Sequence, residues 1–402
     1  MNNTYKKIKN NILCLVSIIF CLNLQAQENR KTLNECIEIA LKSNLQIQYA
    51  DLDIKQAKAL QGMAFNPDKT EVSYSQDALT PDWFDRKITV SQSFEFPSVY
   101  AAQGKLLKNE RNLAEKSKNI AENDVKMSVA KAYCNLNFAE NNVLILQKQD
   151  SVYQNFITKA NVRYSSGESN ILELMNAKNK AEENRLQLNQ AKIYLANCQI
   201  VMQKLLNSSE KILTTEILPL KLPELNILSI DTQNIAQNPL VSYYEQQIAV
   251  KKSQIIVEKN RLLPNIFGGY SFNDIKVPAF EVGLSIPLFF GASAAKIKAA
   301  KAATEKIEVE RQQALQTLQT DFLVQYSEYV SAKESLNYYE NTGLANAKTL
   351  QKTAQTAYNQ GEIGYLEFIQ NLQTSITVQM QYLTALNAYN QAVVLLNYYL
   401  CE

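Results

Sequence analysis

Tyr164-Ser165-Ser166-Gly167-Glu168-Ser169-Asn170-Ile171-Leu172-Glu173-Leu174 decides the fold, because it returns as Tyr358-Asn359-Gln360-Gly361-Glu362-Ile363-Gly364-Tyr365-Leu366-Glu367-Phe368, at an offset of 194 residues. The same offset relates Asn44 to Asn238, and a proline follows each in turn, at Pro67 and Pro264. Two long similar halves mean a duplication rather than a stacked array of short units. The boundaries read as a leader at 1–26, a first repeat at 27–220 and a second at 221–402, joined near Pro219 and Pro223.

Glycine and proline are scarce, ten and nine in 402 residues, so nearly every one can be read as a boundary. Between Pro97 and Gly167 only Gly104 intervenes; between Gly291 and Gly361 only Gly343 does. Each span predicts a helix of about 70 residues, about 100 Å at 1.5 Å per residue. Helices of that length favour a coiled coil or tube over a globular packing. Past the first glycine, Leu174, Ala177, Ala181, Asn184, Leu188, Ala191 and Leu195 alternate steps of three and four. Past the second, Ile369, Leu372, Ile376, Gln379, Leu383, Leu386 and Asn390 do the same. That is the seam of a helix packed at a small crossing angle.

Two strand pairs lie between the helical stretches. Ile88, Val90, Phe94 and Phe96 alternate with Thr89, Ser91, Ser93 and Glu95; Phe280, Val282, Leu284, Ile286 and Leu288 alternate with Glu281, Gly283 and Ser285. The pattern is weaker around Val72 and Tyr74, and around Ile266, Tyr270 and Phe272. A half-buried soluble sheet would show such alternation, and so would a barrel with lipid outside and water inside. The helices already have seams of their own, which favours the barrel. Four strands cannot close one, and an open edge is not tolerated in lipid, so several chains must share it. Glu95 and Glu281, on the polar faces, are candidate lumen residues or simply wet acids. Residues 76–87, with Pro81, Trp83 and Phe84, and 273–278 read as loops facing outside the cell, while Pro67, Pro97, Pro264 and Pro287 fall at strand-to-helix junctions.

The N-terminus carries Lys6, Lys7 and Lys9, an apolar run from Ile12 to Leu24 and then Leu24-Gln25-Ala26, a secretory signal expected to be cut after Ala26. Phe20 precedes Cys21 where a lipoprotein signal needs a small residue, so no lipid anchor is expected. Without the three leader lysines, 38 basic residues face 39 acidic ones, which gives no electrostatic reason to expect nucleic acid. There is no histidine, so histidine triads, histidine zinc sites and the commonest general base are excluded. Cys36, Cys134, Cys198 and Cys401 are far apart, as small core fillers or with one periplasmic disulfide. No P-loop pattern occurs, and neither an enzyme activity nor a cofactor is expected.

The order helix, two strands, long helix, glycine tip and return helix, given twice, resembles the TolC outer-membrane efflux family over essentially the whole mature chain. That resemblance implies a mostly α fold with a small membrane β-barrel. Three copies would contribute four strands each to a shared twelve-stranded trimeric barrel, and the coiled-coil hairpins would form a periplasmic α-barrel. It further implies a homotrimer in the outer membrane of a Gram-negative bacterium, a passive conduit fed by a periplasmic adaptor and an inner-membrane efflux pump.

The family closes its periplasmic end just past the tips through a tyrosine and acidic residues. Carried over, the gate comprises Tyr164, Glu173, Tyr358 and Glu367, and Gly167, Glu168, Gly361 and Glu362 belong to tips that meet the adaptor. Two departures stand out: Ile363 replaces a gate arginine and Gln370 a second acid. Three copies of Glu173 and Glu367 around an axis would form a cation-favouring carboxylate ring; ordinary solvated or salt-bridged glutamates are the other reading. A periplasmic coiled-coil scaffold or adaptor without a pore is the rival function. Met63, Met127, Met175, Met202 and Met380 are dispersed and name no cargo.

Overall fold

The computed structural model describes residues 30–80, 83–215, 219–221, 238–273, 278–287 and 291–400. The expected signal, Pro81, Pro223, Leu288, Cys401 and residues 274–277 of the second loop lie outside the described residues, and Trp83 and Phe84 are described in backbone alone.

The chain runs β1 (Arg30–Lys31), α1 (Leu33–Ser43), α2 (Leu45–Leu60), β2 (Glu71–Thr80), β3 (Trp83–Phe94), α3 (Pro97–Ser165), α4 (Ile171–Leu206) and β4 (Leu213–Thr214). The second repeat follows as α5 (Pro239–Asn260), β5 (Asn265–Asn273), β6 (Ala279–Ser285), α6 (Gly291–Tyr338), a π-helical turn at Tyr339–Gly343, α7 (Leu344–Asn359) and α8 (Tyr365–Leu400). Pro97 occupies the first helical position of α3, where its missing N–H costs nothing. Because that proline starts the helix, β3 stops at Phe94, so Glu95 and Phe96 fall just past the strand rather than on its faces. Ile286 likewise lies past the end of β6.

Two compact units divide the described chain, and both repeats contribute to each. One comprises residues up to 44, 126–221 and 328–394; the other comprises 45–125, 222–327 and 395–402. The second unit holds an antiparallel sheet in the order β2-β3-β5-β6. Its register aligns Ile88 with Phe272 and Val90 with Tyr270, and Tyr270 with Phe280, so one face is mostly apolar, interrupted by Gln92 and by the Gln76–Arg86 pair. That face is bare, with Phe280 81% and Val282 83% exposed. Against the sheet's polar face, the Phe267 ring lies across Gly283, where a Cβ would meet the ring at 2.4 Å. Below the sheet, Ala102 and Leu106 of α3 pack on Val250 and Val257 of α5. Ser98 to Asn260 and Asn109 to Ser253, both 2.7 Å, fix their antiparallel register.

In the first unit the predicted seam is buried residue by residue: Leu174, Ala177, Ala181, Asn184, Leu188 and Ala191 are in the core, with Leu195 partly so. Asn184, the polar member, donates from Nδ2 to the Leu146 carbonyl of α3 at 3.2 Å. In α8 the corresponding Ile369, Leu372, Leu386 and Asn390 are buried. Asn44 and Asn238 do the same job in their own units. Asn44 Nδ2 donates to the Leu205 carbonyl at 2.8 Å, and Asn238 Nδ2 to that of Tyr399, the repeat counterpart of Leu205, at 3.4 Å. The parallel β1–β4 pair has no signal in the sequence, being two residues long. Cys36, Cys134 and Cys198 are free and buried, which settles them as core fillers; burial pushes the Cys36 thiol up to about 11 and that of Cys134 to about 12.

The first long helix is continuous for 69 residues; the second is broken by the π turn at Gly343. The turn needs a glycine: Tyr339 crosses the bare Cα of Gly343, and a Cβ there would stand 3.0 Å from Tyr339 Cδ1 and 3.4 Å from Val378 Cγ1. On the tip side of the break the repeats keep phase: Tyr153 and Ala160 are buried in α3, and their counterparts at the full repeat offset, Ala347 and Ala354, are buried in α7. On the other side they slip by a single position. Helix α3 buries Val129, Leu136 and Val143, whereas α6 buries Phe322, Tyr329 and Leu336, each one position short of the full offset. Leu323 and Val330, which stand at the full offset from Val129 and Leu136, are exposed.

Candidate functional site at the glycine tips

Both tips reverse the chain by the same backbone device. Gly167 and Gly361 each have φ +78°, a conformation glycine adopts without steric cost. Glu168 N–H donates to Arg163 O at 2.8 Å, and Glu362 N–H to Ala357 O at 2.9 Å, closing the end of each helix. Glu168 and Glu362 are exposed beside these turns. The return helices start differently: Asn170 caps α4 through Oδ1, accepting from Glu173 N–H at 3.1 Å, whereas Gly364 stands at the equivalent position before α8.

Side chains separate the two tips further. Tyr164 is 44% exposed and Tyr358 only 7%; Ile171 is exposed where Tyr365 is buried. The reason is Phe156 of α3, which stacks on Phe368 at 4.6 Å and meets Tyr358 at 5.1 Å and Tyr365 at 5.5 Å. Around this aromatic cluster close Leu174, Ala177 and Leu372. Burial pushes the Tyr358 phenol above its ordinary value and that of Tyr365 up to about 12. The Tyr365 hydroxyl has no hydrogen-bond partner among the described residues.

A polar triad sits on the cluster's edge. Arg163 Nη1 donates to Glu173 Oε1 at 3.4 Å and to the Tyr358 hydroxyl at 3.3 Å; that hydroxyl donates to Glu173 Oε1 at 3.4 Å. Arg163 thus ties the end of the first outward helix to its own return helix and to the second tip. Lys159 adds a bond to Asn359 Oδ1 at 3.1 Å. A cleft of about 690 Å³ opens between the tips, lined by Lys159, Arg163 and Glu168 on one side and Tyr358, Gly361 and Glu362 on the other.

Of the gate residues expected from sequence, the structure brings Tyr358 and Glu173 together and leaves Tyr164 and Glu367 exposed. Arg163 was missed. It stands one residue before Tyr164, where the second repeat has Ala357, so the repeat comparison gave no reason to select it. Phe156 was missed likewise: its counterpart is Leu350, half-buried and aliphatic, and the pair reads as two ordinary apolar helix positions. Glu95 is partly buried at the strand-to-helix junction and pairs with Arg261 Nε at 3.3 Å, whereas Glu281 is exposed on β6. Among the described residues no cluster of metal ligands occurs and no helix is long and apolar enough to cross a membrane.

Residues 232–400 match the outer membrane efflux protein family. The chain carries an outer membrane efflux protein domain. The fold agrees over nearly the whole chain. CusC matches with TM-score 0.78 and 19% identity over 93% of this chain and 92% of its own. The CmeC outer membrane channel of Campylobacter jejuni matches with TM-score 0.73 and 18% identity over 92% and 85%. The MtrE outer membrane channel of Neisseria gonorrhoeae, in its open state, gives 0.73 and 15% over 92% and 88%. No curated protein matches the chain. The family match covers the second repeat, and the solved outer-membrane channels share the fold of both repeats.

Proposed function

We propose that three copies of this chain form a passive conduit in the outer membrane of a Gram-negative bacterium. The channel would receive solutes from a periplasmic adaptor and an inner-membrane pump and release them outside the cell. One observation carries the reading: a four-stranded sheet with a bare apolar face and two unpaired outer edges, β2 and β6. In lipid that face is at no disadvantage, and the edges must be paired by copies of the same sheet. Three copies supply twelve strands, and Glu281 then faces the lumen.

Gating belongs to the tips. Arg163, Glu173 and Tyr358 hold the two hairpin ends of one subunit together, and Gly167, Glu168, Gly361 and Glu362 line the surface where an adaptor would engage. Arg163 supplies the cation that Ile363 lacks, from the other repeat. Opening separates Tyr358 from the triad, and the exposed Glu367 contributes charge to the mouth.

Single-channel recording in planar bilayers tests the reading, with the mass of the purified assembly measured beside it. Trimers that conduct are expected. Absence of pores from wild type and from Glu367→Gln alike rejects the conduit; a conducting assembly of another size rejects only the number three.

A further inference from the structure

Charge is distributed unevenly along the helices of the unit that holds the sheet. From Pro97 to Asn109, α3 carries Lys105 and Lys108 and no acid; from Gly291 to Thr304, α6 carries Lys296, Lys298 and Lys301 and no acid. Lys259 ends α5. All six lysines are exposed, and none forms an ion pair among the described residues. Each lies within about 17 Å of the strand-bearing end of its helix at 1.5 Å per residue.

Two of the nearby acids are already paired. Arg261 pairs with Glu95 at 3.3 Å and with Glu258 at 3.4 Å. Farther from the strands the habit reverses: Arg111 pairs with Glu115, Lys118 with Asp51 and Glu122, and Lys306 with Glu310. An ordinary solvated helix face would carry the mixed pattern to its end. Beside the sheet the stretches 97–109 and 291–304 carry five lysines and no acid at all, so no partner stands on their own turns.

The lysines also share a level. Lys252–Glu308 at 3.6 Å and Arg311–Glu245 at 2.8 Å hold α5 antiparallel to α6, which sets Lys296, Lys298 and Lys301 beside the last turns of α5 and Lys259. Ser98 bonds Asn260, so the start of α3 stands at that level too.

We propose that these six lysines form a collar that docks on the anionic lipid headgroups of the leaflet through which the strands enter the membrane. The inference rests on the channel reading, because the bare apolar strand face supplies the adjoining contact. Headgroup phosphates fit by charge, and unpaired lysines within a Debye length of an anionic surface are attracted without a shaped pocket. The collar fixes how deep the barrel sits.

The full-length protein, purified in detergent, is titrated with phosphatidylglycerol or with phosphatidylcholine of the same acyl chains. Retained lipid is counted by native mass spectrometry, and the Tm is followed in parallel. Phosphatidylglycerol is expected to bind about tenfold tighter or more, given the attraction per lysine at such a surface, with the preference fading in high salt. K296Q/K298Q/K301Q loses most of that preference and K105Q/K108Q part of it, while K348Q/K352Q on α7 keeps it. Equal binding of the two lipids overturns the collar, as does a preference that survives in both collar variants. Binding to isolated cell-wall sacculi that K296Q/K298Q/K301Q abolishes, with lipid preference unchanged, overturns it in favour of a carboxylate polymer. Conducting wild-type pores without headgroup preference reject the collar alone; a headgroup preference without pores rejects the conduit and keeps the lipid surface.

Discussion

The two tips share a backbone and differ in everything that touches it. Gly167 and Gly361 have the same φ, and the closing hydrogen bonds recur at matching positions of the two repeats, yet Tyr164 lies exposed while Tyr358 is in the core. Turn geometry is local, written in a glycine and the helix end before it. Burial is not local: it depends on which neighbour supplies a ring, and Phe156 supplies one to the second tip alone. Duplication preserved the turn and left the aromatic cluster to one copy.

The largest test of that contrast removes the ring. Phe156→Ala empties the centre of the aromatic cluster and is expected to cost about 3 kcal/mol or more, seen as a lower Tm and faster amide exchange across Tyr365–Leu372. Its half-buried counterpart gives the reference: Leu350→Ala is expected to cost only about 1 kcal/mol. Equal effects would show that the second tip is not anchored through Phe156.

Next comes the triad. Arg163→Gln leaves Glu173 and Tyr358 without their cation. A partly exposed pair of this kind is worth up to about 1 kcal/mol, enough for an open population about fivefold higher. Planar-bilayer conductance reads it, and Glu367→Gln at the other tip is expected to leave closing unchanged. A comparable rise in both variants would mean that the tips close symmetrically.

Tyr365→Phe probes the buried cluster from its polar side. The hydroxyl lacks a partner, so at neutral pH its removal is expected to be neutral or to stabilise by about 1 kcal/mol. The pH dependence has a definite sign. A phenol held up to about 12 in the fold but ordinary when unfolded contributes stability that is complete below about pH 10 and is lost as pH rises towards 12. Alkaline melting of wild type should be steeper than that of the phenylalanine variant. Parallel curves would remove Tyr365 from the account.

Smallest and most even are the turns themselves. Gly167→Ala and Gly361→Ala meet no side chain within 4 Å, so each carries only the strain of positive φ, roughly 1 kcal/mol. Thermal unfolding should show near-equal losses. A large inequality would mean that the tips differ in backbone as well as in side chains.

Much of this fold was legible in the sequence because periodicity and punctuation are local. The seam from Leu174 to Leu195 and the strand faces around Val90 and Val282 follow from spacing alone, whereas the pairing register does not. The site was legible only in part. Tyr358 and Glu173 came from the motif, but so did Tyr164 and Glu367, which the motif cannot distinguish from them. Arg163 and Phe156 are not repeated in kind, since Ala357 and Leu350 stand in their places, and their roles exist only once α3 meets α4, α7 and α8. The reach of β3 to Glu95 was over-read because alternation continues past the strand, up to the proline that opens the helix.

The π turn at Tyr339–Gly343 also records an order of events. Tipward of it the copies correspond at the full repeat offset and beyond it at one position fewer, so an extra residue was accommodated inside a helix after the gene had doubled. The insertion turned the outer part of one helix about its axis and brought Leu323 and Val330 to the surface. The ancestral pair was interchangeable; the descendants are not, and neither hairpin can now take the other's place.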